Sequence, residues 1–308
     1  MERSFVSTKA DLADNVAAVM IGVFDSGFGG LTVLEALLRR LPSYDYFYLG
    51  DSARAPYGAR SPEVIYEFTR EAVEFLFASG CPLVILACNT ASARALRTLQ
   101  QRHLPAHHPS HRILGVVRPS AEALAGLSPS APPSTVATSS VRGTVAVLAT
   151  TGTVASDSYR LELAKLAPHL TLLQQACPLL VPLVEEGELT GPGTDYFLHK
   201  YLDPMLSSAT PPGRILLACT HYPLLLPAIR ALLVERRAAS IELLDQGEIV
   251  ATRLAEWMAR HPEMDARLGR GGTRRYATTD DPRWFAMRAA AVLGRAIEVE
   301  KVHLQPLG

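Results

Sequence analysis

Leu83-Val-Ile-Leu-Ala-Cys88-Asn-Thr-Ala91 and Ile215-Leu-Leu-Ala-Cys219-Thr-His-Tyr-Pro223 are the two stretches from which the fold can be read. Each is a short, unbroken apolar run that ends in Ala-Cys followed by two polar residues, and each opens onto a helix-like segment. Continuous Val/Ile/Leu runs without polar alternation suit strands covered on both faces, as in a parallel sheet. Upstream of each lies a second apolar run ending in hydroxyl and glycine residues: Ile21-Gly-Val-Phe-Asp-Ser26-Gly-Phe-Gly-Gly30 and Val145-Ala-Val-Leu-Ala-Thr150-Thr-Gly-Thr153. The echo implies two similar halves built by duplication of one strand–helix unit.

Working outward, apolar runs predict strands over Met20–Asp25, Tyr46–Gly50, Leu83–Cys88, Ile113–Val117, Val145–Thr150, Leu170–Gln174, Ile215–Cys219 and Ile241–Asp245. Longer amphipathic stretches predict helices over Gly30–Arg40, Pro62–Ser79, Ala91–Arg102, Ser156–Ala167, Gly193–Ser207, Leu224–Arg237 and Glu248–Arg260. Alternation of this kind defines an α/β protein. The fold class expected is two pseudo-symmetric domains, each a mostly parallel sheet flanked by helices, with the active site in the cleft between them. The Pro/Ser/Thr-rich stretch Leu127–Ser140 cannot bury an apolar face and reads as a loop or insertion; residues 1–19 read as a polar extension.

The chain of 308 residues has 48% hydrophobic content, enough core for two domains of roughly 100–200 residues each. Thirty basic and thirty acidic residues cancel, so no global field favours nucleic acid or an anionic membrane, and a small molecule is the expected ligand. No apolar run approaches the roughly 20 residues that cross a bilayer. Cys81, Cys88, Cys177 and Cys219 form neither C-x-x-C pairs nor a disulfide framework, which fits a reducing cytoplasm.

In open α/β sheets, ligands bind beyond the carboxyl ends of the strands, and Cys88 and Cys219 are expected there. Asn89, Thr90 and Thr220 are good helix-capping types. A thiol at a helix N-terminus is expected to have a lowered pKa, bringing thiolate within reach near neutrality. Two thiols facing one cleft suit a particular chemistry. Inversion of an amino acid's α-carbon removes a proton from one face and returns one to the other, and two groups of similar pKa, one deprotonated and one protonated, can do both. For Cys81 and Cys177 the expected role is simply that of a small buried hydrophobe.

These residues resemble the glutamate racemases of the aspartate/glutamate racemase superfamily. The resemblance is carried by Gly22-Val-Phe-Asp-Ser-Gly-Phe-Gly-Gly-Leu31, Tyr48-Leu-Gly-Asp-Ser-Ala-Arg-Ala-Pro-Tyr-Gly58, Ala87-Cys-Asn-Thr-Ala-Ser92, Ala149-Thr-Thr-Gly-Thr153, Cys177-Pro-Leu-Leu-Val-Pro-Leu-Val-Glu185 and Ala218-Cys-Thr-His-Tyr-Pro-Leu224. It implies that Cys88 and Cys219 transfer protons, with Asp25 assisting near the first and His221, with Glu185, near the second. It implies that Ser26, Pro56, Tyr57, Gly58, Asn89, Thr90, Thr150, Thr153 and Thr220 hold glutamate. Hydroxyls, amides and backbone N–H groups would make a neutral cradle for carboxylates and developing charge. It further implies cofactor independence, a homodimer, a supply of D-glutamate for peptidoglycan, and a chain that returns to complete its first domain: 20–117 plus 227–308, with 118–226 as the second. Arg118 and the sequence Asp245-Gln-Gly247 depart from the family pattern.

Other chemistries are less well supported. Asp25–Gly30 lacks the G-x-G-x-x-G spacing and the G-K-[ST] ending of nucleotide sites. Lys9, Lys165, Lys200 and Lys301 lie away from the strand ends where a Schiff-base lysine would be needed. The histidines of His103–His111 suggest metal, but Pro105 and Pro109 suit a surface loop, and no Cys or carboxylate joins the cluster. Cys88, Cys219 and His221 would be an odd zinc set. A sibling activity on aspartate or another small dicarboxylate, and a non-catalytic amino-acid sensor or metal-binding cysteine protein, remain as alternatives; His221 after Cys219-Thr220 favours glutamate.

Overall fold

A computed structural model describes residues 19–127 and 140–305; most of the expected N-terminal extension and of the expected insertion therefore lies outside the described residues. Among the described residues the strands form two sheets. The first joins β1 (Ile21–Asp25), β2 (Tyr46–Gly50), β3 (Leu83–Leu86), β4 (Arg112–Gly115), β9 (Arg274–Thr278) and β10 (Glu300–Lys301), in the order β10-β9-β2-β1-β3-β4. The second joins β5 (Thr144–Ala149), β6 (Thr171–Ala176), β7 (Arg214–Ala218) and β8 (Glu242–Leu244), in the order β6-β5-β7-β8. All pairings are parallel. Helices between the strands cover the sheets, so β1, β2, β3 and β5 are buried along their whole lengths, as their unbroken apolar character requires.

The two halves repeat one strand order. In each, the first strand is flanked by the second on one side and the third on the other: β2-β1-β3-β4 and β6-β5-β7-β8. The chain winds one way to make the second strand, then crosses back to make the third. This reversal opens a crevice between the carboxyl ends of the first and third strands. Cys88 follows β3 and Cys219 follows β7, so each thiol stands at such a switch point, as do Ser26 after β1 and Thr150 after β5.

Two features differ from expectation. The stretch expected as the helix Ala91–Arg102 begins earlier, at Asn89, and is broken into Asn89–Arg94, Leu96–Thr98 and a π-turn at Leu99–His103. β8 pairs with β7, Ile215 against Leu243, so the chain returns to the first sheet only after residue 244 and not at 227. The return delivers β9 and β10 to the edge beyond β2, with the helix Pro282–Leu293 between them. No helix of the described residues is long and apolar enough to cross a membrane.

Candidate active site

The carboxyl ends of both sheets meet at one cavity. Its walls include Cys88 and Cys219 together with Ser26, Pro56, Tyr57, Gly58, Asn89, Thr90, Thr150, Glu185, Thr220 and His221, all expected from sequence. Val181 also lines it and was not foreseen; an apolar residue within Leu180–Glu185 carries no chemical signature. Asp25 and Thr153 stand behind the wall, both fully buried.

Cys88 is the N-cap of the helix Asn89–Arg94. Its Sγ accepts from the Ala91 N–H at 3.5 Å and lies 3.6 Å from Ser26 Oγ. Cys219 directly follows β7, and its Sγ is 4.0 Å from His221 Nδ1. Across the ring, His221 Nε2 sits 3.2 Å from Glu185 Oε1, but off the N–H axis, so this buried nitrogen makes no hydrogen bond. Phe28 packs edge-on against the imidazole at 5.0 Å. The chain must approach very closely here: a Cβ on Gly29 would lie 2.5 Å from His221 Nδ1 and 2.7 Å from Thr220 Oγ1. Only glycine leaves both groups in place.

Asp25 couples the halves. Its Oδ2 accepts from the Gly27 N–H at 3.0 Å and its Oδ1 from Thr220 Oγ1 at 3.2 Å, a contact across 195 residues of sequence. Burial raises its pKa, while His221, the Gly27 and Gly30 backbone and Thr220 oppose the rise. The buried carboxylate thus holds the hydroxyl next to Cys219. On the other side, Thr90 Oγ1 meets Thr150 Oγ1 at 2.9 Å, and Thr150 Oγ1 donates to Thr153 Oγ1 at 3.1 Å. A Cβ on Gly58 would strike Thr150 at 2.8 Å.

Asn89 is arranged differently from expectation. Its side chain turns away from an open acceptor role and into a buried network: Nδ2 donates to Gln246 Oε1 at 2.5 Å, and Oδ1 accepts from Tyr159 at 2.8 Å and from Gln246 Nε2 at 3.1 Å. Gln246 Nε2 also reaches Ser120 Oγ at 2.8 Å. Both ends of the Asn89 amide are thus engaged in this network.

The expected lowering of the thiol pKa is also corrected. Burial pushes the Cys88 thiol up to about 11, Asp25 adding to the rise and the Ala91 N–H and Ser26 contacts opposing it. Cys219 is pushed well above its ordinary value, mainly by burial, with Asp25, Cys88 and Glu185 adding to it. Desolvation outweighs one turn of helix dipole. A fold that buries neutral thiols gains from them fully below the unfolded-chain value of about 8.5, and loses that gain as pH rises through the folded value. Thermal midpoints should therefore fall between about pH 8.5 and 11, less steeply in Cys88→Ser. Parallel slopes for the two proteins would contradict this assignment.

A family model described as Asp/Glu/Hydantoin racemase matches residues 21–254, and the chain belongs to that family. Within it, the chain is 41% identical over 279 residues to a glutamate racemase of Ruegeria pomeroyi, covering 90% of this chain and 97% of that protein. Solved structures agree. Glutamate racemase isoform RacE1 from Bacillus anthracis superposes with a TM-score of 0.77 at 30% identity, over 94% of this chain and 98% of that one. The Francisella tularensis glutamate racemase, solved in complex with D-glutamate, gives a TM-score of 0.77 at 27% identity, over 94% and 99%.

Proposed function

We propose that this protein is a glutamate racemase, an isomerase that exchanges L- and D-glutamate by two-base proton transfer between Cys88 and Cys219 without a cofactor. The observation that carries the reading is the opening of both sulfurs, from equivalent strands of two like-ordered sheets, into one cavity. In one direction a thiolate takes the α-hydrogen as a proton from one face, leaving a planar carbanion. The opposite thiol then delivers its proton to the other face and becomes the thiolate of the next reverse cycle.

Burial disfavours the thiolate at both cysteines, and the substrate itself opposes that cost. An amino acid brings an ammonium beside the sulfurs, and a nearby positive charge favours the thiolate. The carboxylates meet hydroxyls of Ser26, Thr90, Thr150 and Thr220 and backbone N–H groups, which cost no reorganisation as charge develops. His221, beside Cys219 and Glu185, is positioned to receive or return the second sulfur's proton. Asp25 acts on the site through Thr220 and is a positioning residue. A cytoplasmic homodimer that supplies D-glutamate for peptidoglycan belongs to the same reading.

The test is an assay with L- and D-glutamate in deuterium oxide with no cofactor added. Product of inverted configuration should carry deuterium at the α-carbon. Retention of the original hydrogen would contradict a two-base path, and faster turnover of aspartate than of glutamate would overturn the substrate.

A further inference from the structure

The histidines of His103–His111 lack a carboxylate partner in the sequence around them, but the fold supplies one. Glu74, near the end of the helix Pro62–Ala78, lies against them: His103 Nε2 contacts Glu74 Oε1, and His108 Nε2 sits 2.8 Å from Oε1 and 3.0 Å from Oε2. One ligand-capable atom from each of the three residues falls within 4.8 Å of the other two. The location is the amino-terminal edge of the first sheet, since the helix runs back from the cleft towards the start of β3, and His108 precedes β4 by a few residues. It is thus at the opposite end of the strands from the cavity.

We propose that Glu74, His103 and His108 form a zinc-type divalent metal site that clasps the helix Pro62–Ala78 to the segment leading into β4. Two imidazole nitrogens and a carboxylate oxygen are borderline donors suited to zinc and poorly suited to calcium or magnesium, which seek all-oxygen shells. Tetrahedral zinc with bonds of about 2.0–2.1 Å sets its donors about 3.4 Å apart. The His108–Glu74 separations therefore need to open by only about half an ångström, as the cation replaces the N–H protons that now point at the carboxylate.

The rings are held in place for this. His108 and His111 both pack on Phe77, at 4.8 and 4.5 Å, and His103 packs on His107 at 4.8 Å. Side-chain exposures of 10% for His103, 22% for Glu74 and 25% for His108 leave one side open for entry and for a water as fourth ligand. The alternative is that two imidazoles merely donate hydrogen bonds to one carboxylate, with no affinity for metal.

The experiment uses full-length, tag-free protein stripped with chelator and titrated with zinc against a chromogenic competitor. The Cys88→Ser/Cys219→Ser double variant serves as a second background, because the catalytic thiols are themselves possible ligands. One equivalent should bind in both backgrounds and raise the thermal midpoint. Glu74→Gln keeps the shape but removes the anionic ligand; it and His108→Ala should weaken binding at least tenfold and abolish the zinc-dependent shift, with metal-free glutamate turnover unchanged. Absence of saturable binding would overturn the proposal. So would binding unaffected by Glu74→Gln and His108→Ala, or binding lost only when the two cysteines are replaced.

Discussion

Replacing Cys219 with serine should leave a folded protein in which interconversion of the glutamate enantiomers falls by at least the 10²–10⁴-fold typical of a positioned acid or base, and Cys88→Ser should do the same. Serine is the better substitution at position 88, where Sγ accepts the Ala91 N–H as a helix cap, because alanine would also remove the cap. A hydroxyl keeps the cap but is too weak an acid to exchange a proton near neutrality. The distinguishing result lies in what each variant still does. A protein with one working thiol can remove the α-hydrogen of the enantiomer that presents it to that sulfur and return a solvent proton to the same face. Each variant should therefore exchange α-hydrogen with deuterium in one enantiomer only, without inversion, and the two variants should choose opposite enantiomers. Exchange of both enantiomers by a single variant, or wild-type racemisation in either, removes that cysteine from the mechanism.

The strands that carry the site were legible because burial on both faces leaves a plain mark: Leu83-Val-Ile-Leu and Ile215-Leu-Leu can be little else. The duplicated order of the halves was visible in the Ala-Cys echo for the same reason. β9 was not. Arg274-Arg-Tyr-Ala-Thr278 reads as a charged loop, and becomes a strand because β2 offers it a free edge and because the guanidinium groups of Arg274 and Arg275 lie over the Tyr46 and Phe47 rings at 5.1 and 4.1 Å. Long basic side chains can cover apolar surface in this way while keeping the charge wet, and a sequence pattern cannot anticipate which rings they will find. The thiol pKa values were misjudged because sequence indicates a helix start but not the depth of burial. Gln246 shows the remaining limit. Asp245-Gln-Gly247 stood out as a departure from the family pattern, yet its partner Asn89 is 157 residues away, and only the folded chain relates them.

That partnership supports the second large effect, at Gln246→Ala. Gln246 is only 2% exposed and is the N1 residue of the helix Gln246–Arg260, capped by Asp245. Its amide nitrogen faces three acceptors, Asn89 Oδ1, Ser120 Oγ and Tyr159 Oη at 3.1, 2.8 and 3.1 Å. It has two hydrogens to give, so one is shared. Truncation takes from the buried Asn89 NH₂ its acceptor, at about 1–3 kcal/mol for a group left unpaired, while the Ser120 hydroxyl keeps its bond to the Val116 carbonyl. At about 2–4 °C per kcal/mol for a protein of this size class, the midpoint should drop by several degrees. The catalytic consequence follows from Asn89 being the first residue of the helix that Cys88 caps: once its side chain is released, the sulfur loses its fixed direction towards the cleft. Measured well below the new midpoint, kcat should fall about tenfold or more with KM nearly constant, because the hydroxyl cradle of Thr90, Thr150 and Thr153 is held by its own bonds. Gln246→Glu is the sharper control. It preserves volume but sets a carboxylate against Asn89 Oδ1, so it should not rescue either property. A variant with lowered stability but unchanged kcat would confine Gln246 to folding, and wild-type behaviour in both would show that the buried network does not constrain Cys88.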